Sequence, residues 1–365
     1  MSEKVKKFFE KKSNKIICGV ATGVIFLGAA GGITACALVK KNKNAIYAVI
    51  RAEAFTKAKA EDEWIRTGYQ DITNNKKGLP TLIKDYALDK DNNPVLSSEM
   101  TSKYDDNGYL TEHDWKMYGK DGQTINYRIK QLYEYDSFGN EVKMVDYDFK
   151  KDYINVDKEN VFYTEYIYDE NNRVKEASTY VLNEGAKEYD YKYTYSYFKD
   201  SNRVIEETSY YYSDGKFVEN EKQILTCAED GKLIKYEMFD TGDFVKKVDF
   251  EYLDNKTVKC VEDFSQNGSK SDSEIVYTFK DEKNANNIDY LGLEINEDFE
   301  GLSKVESKEY EDYSKTNLYR DYVATYSYDK HGNVSSIEEV RHEYDQGELS
   351  STSFYKEAYT YEKIK

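Results

Sequence analysis

Tyrosine recurs in this chain at intervals that leave little choice of secondary structure. All but Tyr47, Tyr69 and Tyr86 of the 37 tyrosines lie beyond residue 100, many two residues apart and followed by a turn. Tyr133-Glu134-Tyr135-Asp136, running to Gly139-Asn140, recurs at Tyr166–Arg173 and again at Tyr326–Asn333. Looser copies start at Tyr104, Tyr195 and Phe250, and Tyr359-Thr360-Tyr361 opens a last one. A second motif falls between these, as Tyr118 to Asp121-Gly122, Tyr212 to Asp214-Gly215, Phe239 to Gly242, Phe264 to Asn267-Gly268 and Tyr344 to Gly347. Whole units repeat at about 30 residues, the mark of a repeat architecture.

Each Asp/Asn-Gly pair supplies the positive φ that a tight hairpin needs. Between turns the residues alternate, most plainly at Tyr189, Tyr191, Tyr193, Tyr195 and Tyr197, which places five rings on one side of a strand. Pro80 and Pro94 are the only prolines, so no later residue interrupts a backbone ladder by lacking an N–H. The expected fold is mainly β: an elongated antiparallel meander over residues 76–365. One sheet face would stay uncovered, so at least one ring of Tyr210, Tyr211 and Tyr212 is expected to face solvent as a binding aromatic.

The first 75 residues read differently. A basic tail at 1–15 precedes Ile16–Val39, 24 residues without a charge, long enough for a transmembrane helix acting as a signal-anchor. Gly19, Gly23, Gly28 and Gly32 place small residues four apart on that helix, where helices can pack closely and dimerise. Ile33-Thr34-Ala35-Cys36 also resembles a bacterial lipobox, which implies lipidation of Cys36 and leaves anchor and lipoprotein signal as alternatives. Residues 40–75, rich in Ala, Lys and Glu, predict a helical stalk. This layout places the chain in a bacterial cytoplasmic membrane, single-pass, with the repeats outside.

Net charge is −17, but nine lysines against two glutamates precede residue 44, leaving 67 acidic and 43 basic side chains beyond it. Such an acidic body argues against nucleic acid as a partner. Cys227 and Cys260 lie about one repeat apart, and their spacing leaves a bridge open. His113, His331 and His342 have no metal-ligand spacing, and Asp89-Lys90-Asp91-Asn92-Asn93-Pro94 reads as a plain turn rather than a calcium loop. Nucleophile-elbow, phosphate-loop and dinucleotide motifs do not occur, so neither catalysis nor a cofactor or metal is expected.

The Tyr-x-Tyr-Asp-x-x-Gly-Asn pattern at Tyr133–Asn140 and Tyr326–Asn333 resembles the YD repeats of bacterial Rhs and wall-associated proteins. That resemblance, over residues 100–365, implies β-sheet and a cell-surface location, with sugar binding or encapsulation of a toxin in some members. The units here are longer than the usual YD unit and the array is short. The expected function is a non-catalytic surface binding or adhesion module for a glycan or protein ligand, the alternative being a passive envelope scaffold or spacer, or a lipoprotein of unknown role.

Overall fold

A computed structural model describes residues 40–42, 45–149, 153, 155–266, 269–285, 301–311 and 317–364. The chain runs through 21 strands: β1 (Lys40–Asn42), β2 (Ala45–Lys57), β3 (Ile65–Asn74), β4 (Pro80–Leu88), β5 (Pro94–Tyr104), β6 (Leu110–Tyr118) and β7 (Ile125–Tyr135). There follow β8 (Glu141–Phe149), β9 (Val156–Tyr168), β10 (Val174–Asn183), β11 (Ala186–Tyr197), β12 (Val204–Ser213), β13 (Lys216–Cys227) and β14 (Leu233–Asp240). The last are β15 (Asp243–Tyr252), β16 (Thr257–Gln266), β17 (Ser269–Phe279), β18 (Leu302–Tyr310), β19 (Leu318–Tyr328), β20 (Val334–Asp345) and β21 (Glu348–Lys363).

Each strand pairs antiparallel with the next, and β2 also pairs with β21 from Tyr47↔Lys363 to Lys57↔Phe354. That seam closes β2–β21 into a barrel of 20 strands. The open, elongated meander is therefore wrong. An open sheet would leave two long edges of unpaired N–H and C=O groups, and closure removes both.

The helical stalk is wrong for the same reason. Residues 45–57 and 65–74 are β2 and β3, and β2 is the strand that joins β21 to β3. Val49, Ala52 and Ala54 point inward and are buried, while Arg51 and Glu53 point out and are ion-paired. Helix propensity is a weak preference, and here strand pairing on both sides overrides it. Among the described residues the single helix is α1 (Glu282–Ala285), four residues long, and no helix is long and apolar enough to cross a membrane. The basic tail, Ile16–Val39 with its four glycines, and Cys36 lie outside the described residues.

The two ends of the barrel are built by different turns. At one end Tyr-Asp motifs close the hairpins. Asp136 Oδ1 accepts from the N–H groups of Phe138 (2.8 Å) and Asn140 (2.9 Å), and Asn140 Nδ2 donates back to Oδ2 (2.8 Å). Gly139 supplies φ +80°. Asp105, Asp169 and Asp329 repeat the arrangement, as does Asp89 at the other end, where its carboxylate holds the turn. Four hairpins at the other end use two residues, both with positive φ: Glu184-Gly185, Asp214-Gly215, Thr241-Gly242 and Gln346-Gly347. These are the geometry that matches strand twist. Gly268 lies outside the described residues, as does most of the segment 286–316 apart from β18.

Candidate functional site, the inner wall of the barrel

Residues paired across neighbouring strands share a face, so the register assigns every position to the inside or the outside. The chain of partners Leu225↔Tyr236↔Val248 is buried almost completely, which marks its face as the inner one. Both rings of the Tyr-x-Tyr pairs that precede the Asp turns, Tyr133/Tyr135, Tyr166/Tyr168, Tyr195/Tyr197 and Tyr326/Tyr328, fall on that face, because they stand two residues apart. Tyr133, Tyr236, Tyr277 and Tyr326 are all under one-tenth exposed.

The second ring of the pair does more than fill space. Its hydroxyl donates to the first carbonyl of the preceding strand: Tyr104 to Pro80 (3.0 Å), Tyr135 to Leu110 (2.8 Å), Tyr168 to Glu141 (2.7 Å), Tyr197 to Val174 (2.7 Å), Tyr252 to Leu233 (3.1 Å) and Tyr328 to Leu302. Each bond staples one hairpin to its neighbour at the same end of the barrel. The turns outside are tied likewise, by Asn140 Nδ2 to Asn172 Oδ1 (2.8 Å) and Arg173 Nη1 to the carbonyls of Lys199 (3.0 Å) and Ser201 (2.9 Å). Burial pushes the Tyr104, Tyr197 and Tyr252 phenols up to about 12, so they stay neutral donors.

The outer wall carries paired charge. Lys84 and Lys116 both approach Glu99 (3.5 and 3.3 Å), Arg128 meets Asp114 (2.6 Å), Lys222 meets Glu206 (3.0 Å), and Lys259 meets Glu274 (3.1 Å). These pairs sit at mid-strand. A lipid-facing barrel shows an apolar band there, and a charge at that depth is costly. The outer wall has the chemistry of a surface in water.

Inside, the charges are not balanced. Lys246, Arg320 and Arg341 are taken up by Glu262, Glu309 and Glu339. Asp85, Glu141, Asp146, Glu207 and Glu221 stand in no ion pair among the described residues. Ser98 Oγ donates to Asp85 (2.6 Å), Gln131 Nε2 to Asp146 (2.6 Å) and Gln223 Nε2 to Glu221 (2.7 Å). Desolvation raises the carboxyls of Asp85, Asp146 and Glu207, with Glu221 adding repulsion at Glu207, and lifts Glu141 to about 7. On either side of Glu207 the register places Tyr195 and Gln223, and one step towards the two-residue turns it places Tyr193, Ser209 and Glu221. Tyr191 and Tyr211 follow, facing each other across β11 and β12 and still 41% and 37% exposed.

The anticipated binding rings are divided by this geometry. Tyr211 faces the lumen, whereas Tyr210 and Tyr212 lie on the outer wall, Tyr210 under the Lys192 ammonium (4.8 Å) and Tyr212 against Phe217 (5.1 Å). Nor do five rings line one side of β11. A bulge at Asp190 sends Tyr189 outward to meet Tyr180, while Tyr191 to Tyr197 point in. Cys227 and Cys260 are both free thiols. The inner carboxylates escape sequence reasoning because acidic residues are everywhere; their signal is phase, an acid in step with buried rings.

A scan against known protein families matches none, and a search of curated proteins finds no significant relative. Among solved structures, a porin-like protein from Bacteroides uniformis ATCC 8492 is similar at 12% identity over 86% of this chain and 98% of that one, TM-score 0.33. A porin-like protein from Bacteroides vulgatus ATCC 8482 gives 11% identity, the same coverages and a TM-score of 0.23. The TcdB2-TccC3 structure gives 11% identity over 84% of this chain and 19% of that one, TM-score 0.25. Likenesses this distant carry no functional argument, and the chain's own geometry has to.

That geometry overturns the stalk-borne adhesion module, its glycan-facing tyrosine array and the passive extended spacer. The segment meant to lift the repeats off a membrane is part of the barrel wall, and most motif rings are turned inward. The single-pass location in a cytoplasmic membrane falls with the stalk that defined it.

Proposed function

We propose that the working surface of this protein is its lumen, and that the barrel is a non-catalytic chamber for organic cations, meeting water on its outer wall. The observation that carries the reading is the sidedness of charge: many outer-wall acids, Glu99, Asp114, Glu206 and Glu274 among them, are paired with lysine or arginine, whereas Glu207 and Glu221 lie near each other on the inner wall and stand in no ion pair among the described residues. Tyr191, Tyr193 and Tyr211 flank that pair with ring faces that attract positive charge, about 0.5–1 kcal/mol for each solvent-accessible contact. A polyamine or a quaternary ammonium fits both chemistries.

Titration calorimetry of the full chain with spermine, and separately with tetramethylammonium, tests the proposal. Saturable binding is expected, weakened by salt and reduced several-fold in the double variant E207Q/E221Q, with citrate giving no signal. Equal binding by wild type and double variant would remove the lumen as the site. The likeness to YD repeats enters as a further proposal, supported by the part each motif residue plays: staple, turn acceptor, positive-φ glycine and side-chain clamp.

A further inference from the structure

Glu141 occupies a different place in the molecule from the proposed cation site, and its surroundings are peculiar. It opens β8 at the stapled end, paired across the wall with Tyr135. Its backbone carbonyl accepts the Tyr168 hydroxyl (2.7 Å), the bond that ties hairpin β7–β8 to β9. Its carboxyl is hydrogen-bonded to Tyr166, also of β9. The titratable groups that act on it among the described residues are phenols and an acid: Tyr133 and Tyr135 from β7, Tyr166 and Tyr168 from β9, and Asp146 from its own strand, with Asp136 acting in turn on Tyr168. No lysine, arginine or histidine forms an ion pair with it among the described residues. A neutral carboxyl fits this pocket, donating or accepting one hydrogen bond among phenols. The bond from Tyr166 favours the carboxylate but desolvation outweighs it, so a carboxylate there needs further donors, which water would have to supply.

We propose that Glu141 is a protonation latch: as the neutral acid it packs with Tyr166 and keeps the Tyr168 staple closed, and on ionisation it draws water between β8 and β9 and loosens the barrel at that joint.

The direction follows from proton counting. The carboxyl ordinarily ionises near 4.5, and burial among the phenols raises it to about 7 in the folded chain. Between those values the folded state holds a proton that the unfolded state has lost, so stability falls as pH rises through the window and levels off above it. Opening of the joint rises by up to roughly tenfold for each pH unit crossed in that window.

Hydrogen exchange of the full chain, read on peptides from 141–149 and 161–168 and corrected for the intrinsic pH dependence of exchange, is the test. Wild type is expected to open progressively more between pH 4.5 and 7, and E141Q to stay closed across the range. The ¹³C carboxyl titration of the unmodified protein gives a second measurement, which does not depend on the variant folding. At least one glutamate resonance is expected to titrate near neutrality. Y168F should lose the difference between E141Q and wild type at this joint, because the staple is already absent. Superimposable exchange for wild type and E141Q, or no carboxyl titrating above the ordinary range, overturns the latch.

Discussion

The two ends of the barrel solve the same problem with different chemistry. At the stapled end, paired inner rings, hydroxyl-to-carbonyl bonds and turn-to-turn contacts hold adjacent hairpins to one another as well as to themselves. At the opposite end four hairpins close with two residues, and rings such as Tyr191 and Tyr211 remain partly exposed. Backbone pairing is alike at both ends. The contrast shows that side chains, not the ladder, decide where this barrel is rigid and where it is accessible.

The largest effect expected from that contrast is on burial. Tyr236→Ala removes a fully buried ring of the inner core and should cost about 3–5 kcal/mol, read as a lower midpoint in urea unfolding of the full chain. Tyr211→Ala, at the accessible end, should cost about 1 kcal/mol or less. Similar losses at both positions would mean that the two ends are equally packed.

Glycine substitutions sharpen the comparison further. Gly139 has φ +80°, and an added Cβ would run into the Tyr109 ring that stacks on Tyr135. Gly185 has φ +85° and open space around it. Both alanine variants carry the left-handed backbone cost of about 1–2 kcal/mol. Gly139→Ala should add a measurable steric loss to it, seen as the lower melting temperature of the two.

Smaller still is the staple itself. Tyr168→Phe keeps the ring and removes the hydroxyl, with an expected loss of about 1 kcal/mol. Tyr212→Phe, on the outer wall near a two-residue turn, should stay within about 0.5 kcal/mol of wild type in the same unfolding measurement. If both were silent, the hydroxyl bonds would not distinguish the ends. The weakest effect belongs to the outer wall: Lys84→Ala should change stability by about 0–1 kcal/mol, and less at high salt.

Hairpin positions could be read from the residues, because a turn is a local object. Asp136 to Asn140 carries its own acceptor, its positive-φ glycine and its clamp within five residues, and Asp214-Gly215 needs only its two. Closure could not be read, because the β2–β21 seam joins residues about 300 apart and leaves no mark on either strand. Residues 45–57 illustrate the cost: an alanine-rich, charged segment has the composition of a helix until two strands offer it hydrogen bonds. Inward or outward facing was legible only up to a bulge. Asp190 turns Tyr189 away from its neighbours, and nothing local to Tyr189 announces it.

Local residue patterns suffice to specify antiparallel hairpins, where most of them turn, and an aromatic stock of tyrosine in pairs two residues apart. Long-range pairing alone sets that the sheet closes, that the motif pairs face inward, and that Glu207, Glu221 and Glu141 stand on the inner wall in no ion pair among the described residues. The physical reason is range. Turn geometry depends on a few successive dihedrals and a side chain within reach, whereas closure and facing depend on which distant strand completes the ladder and on every bulge in between.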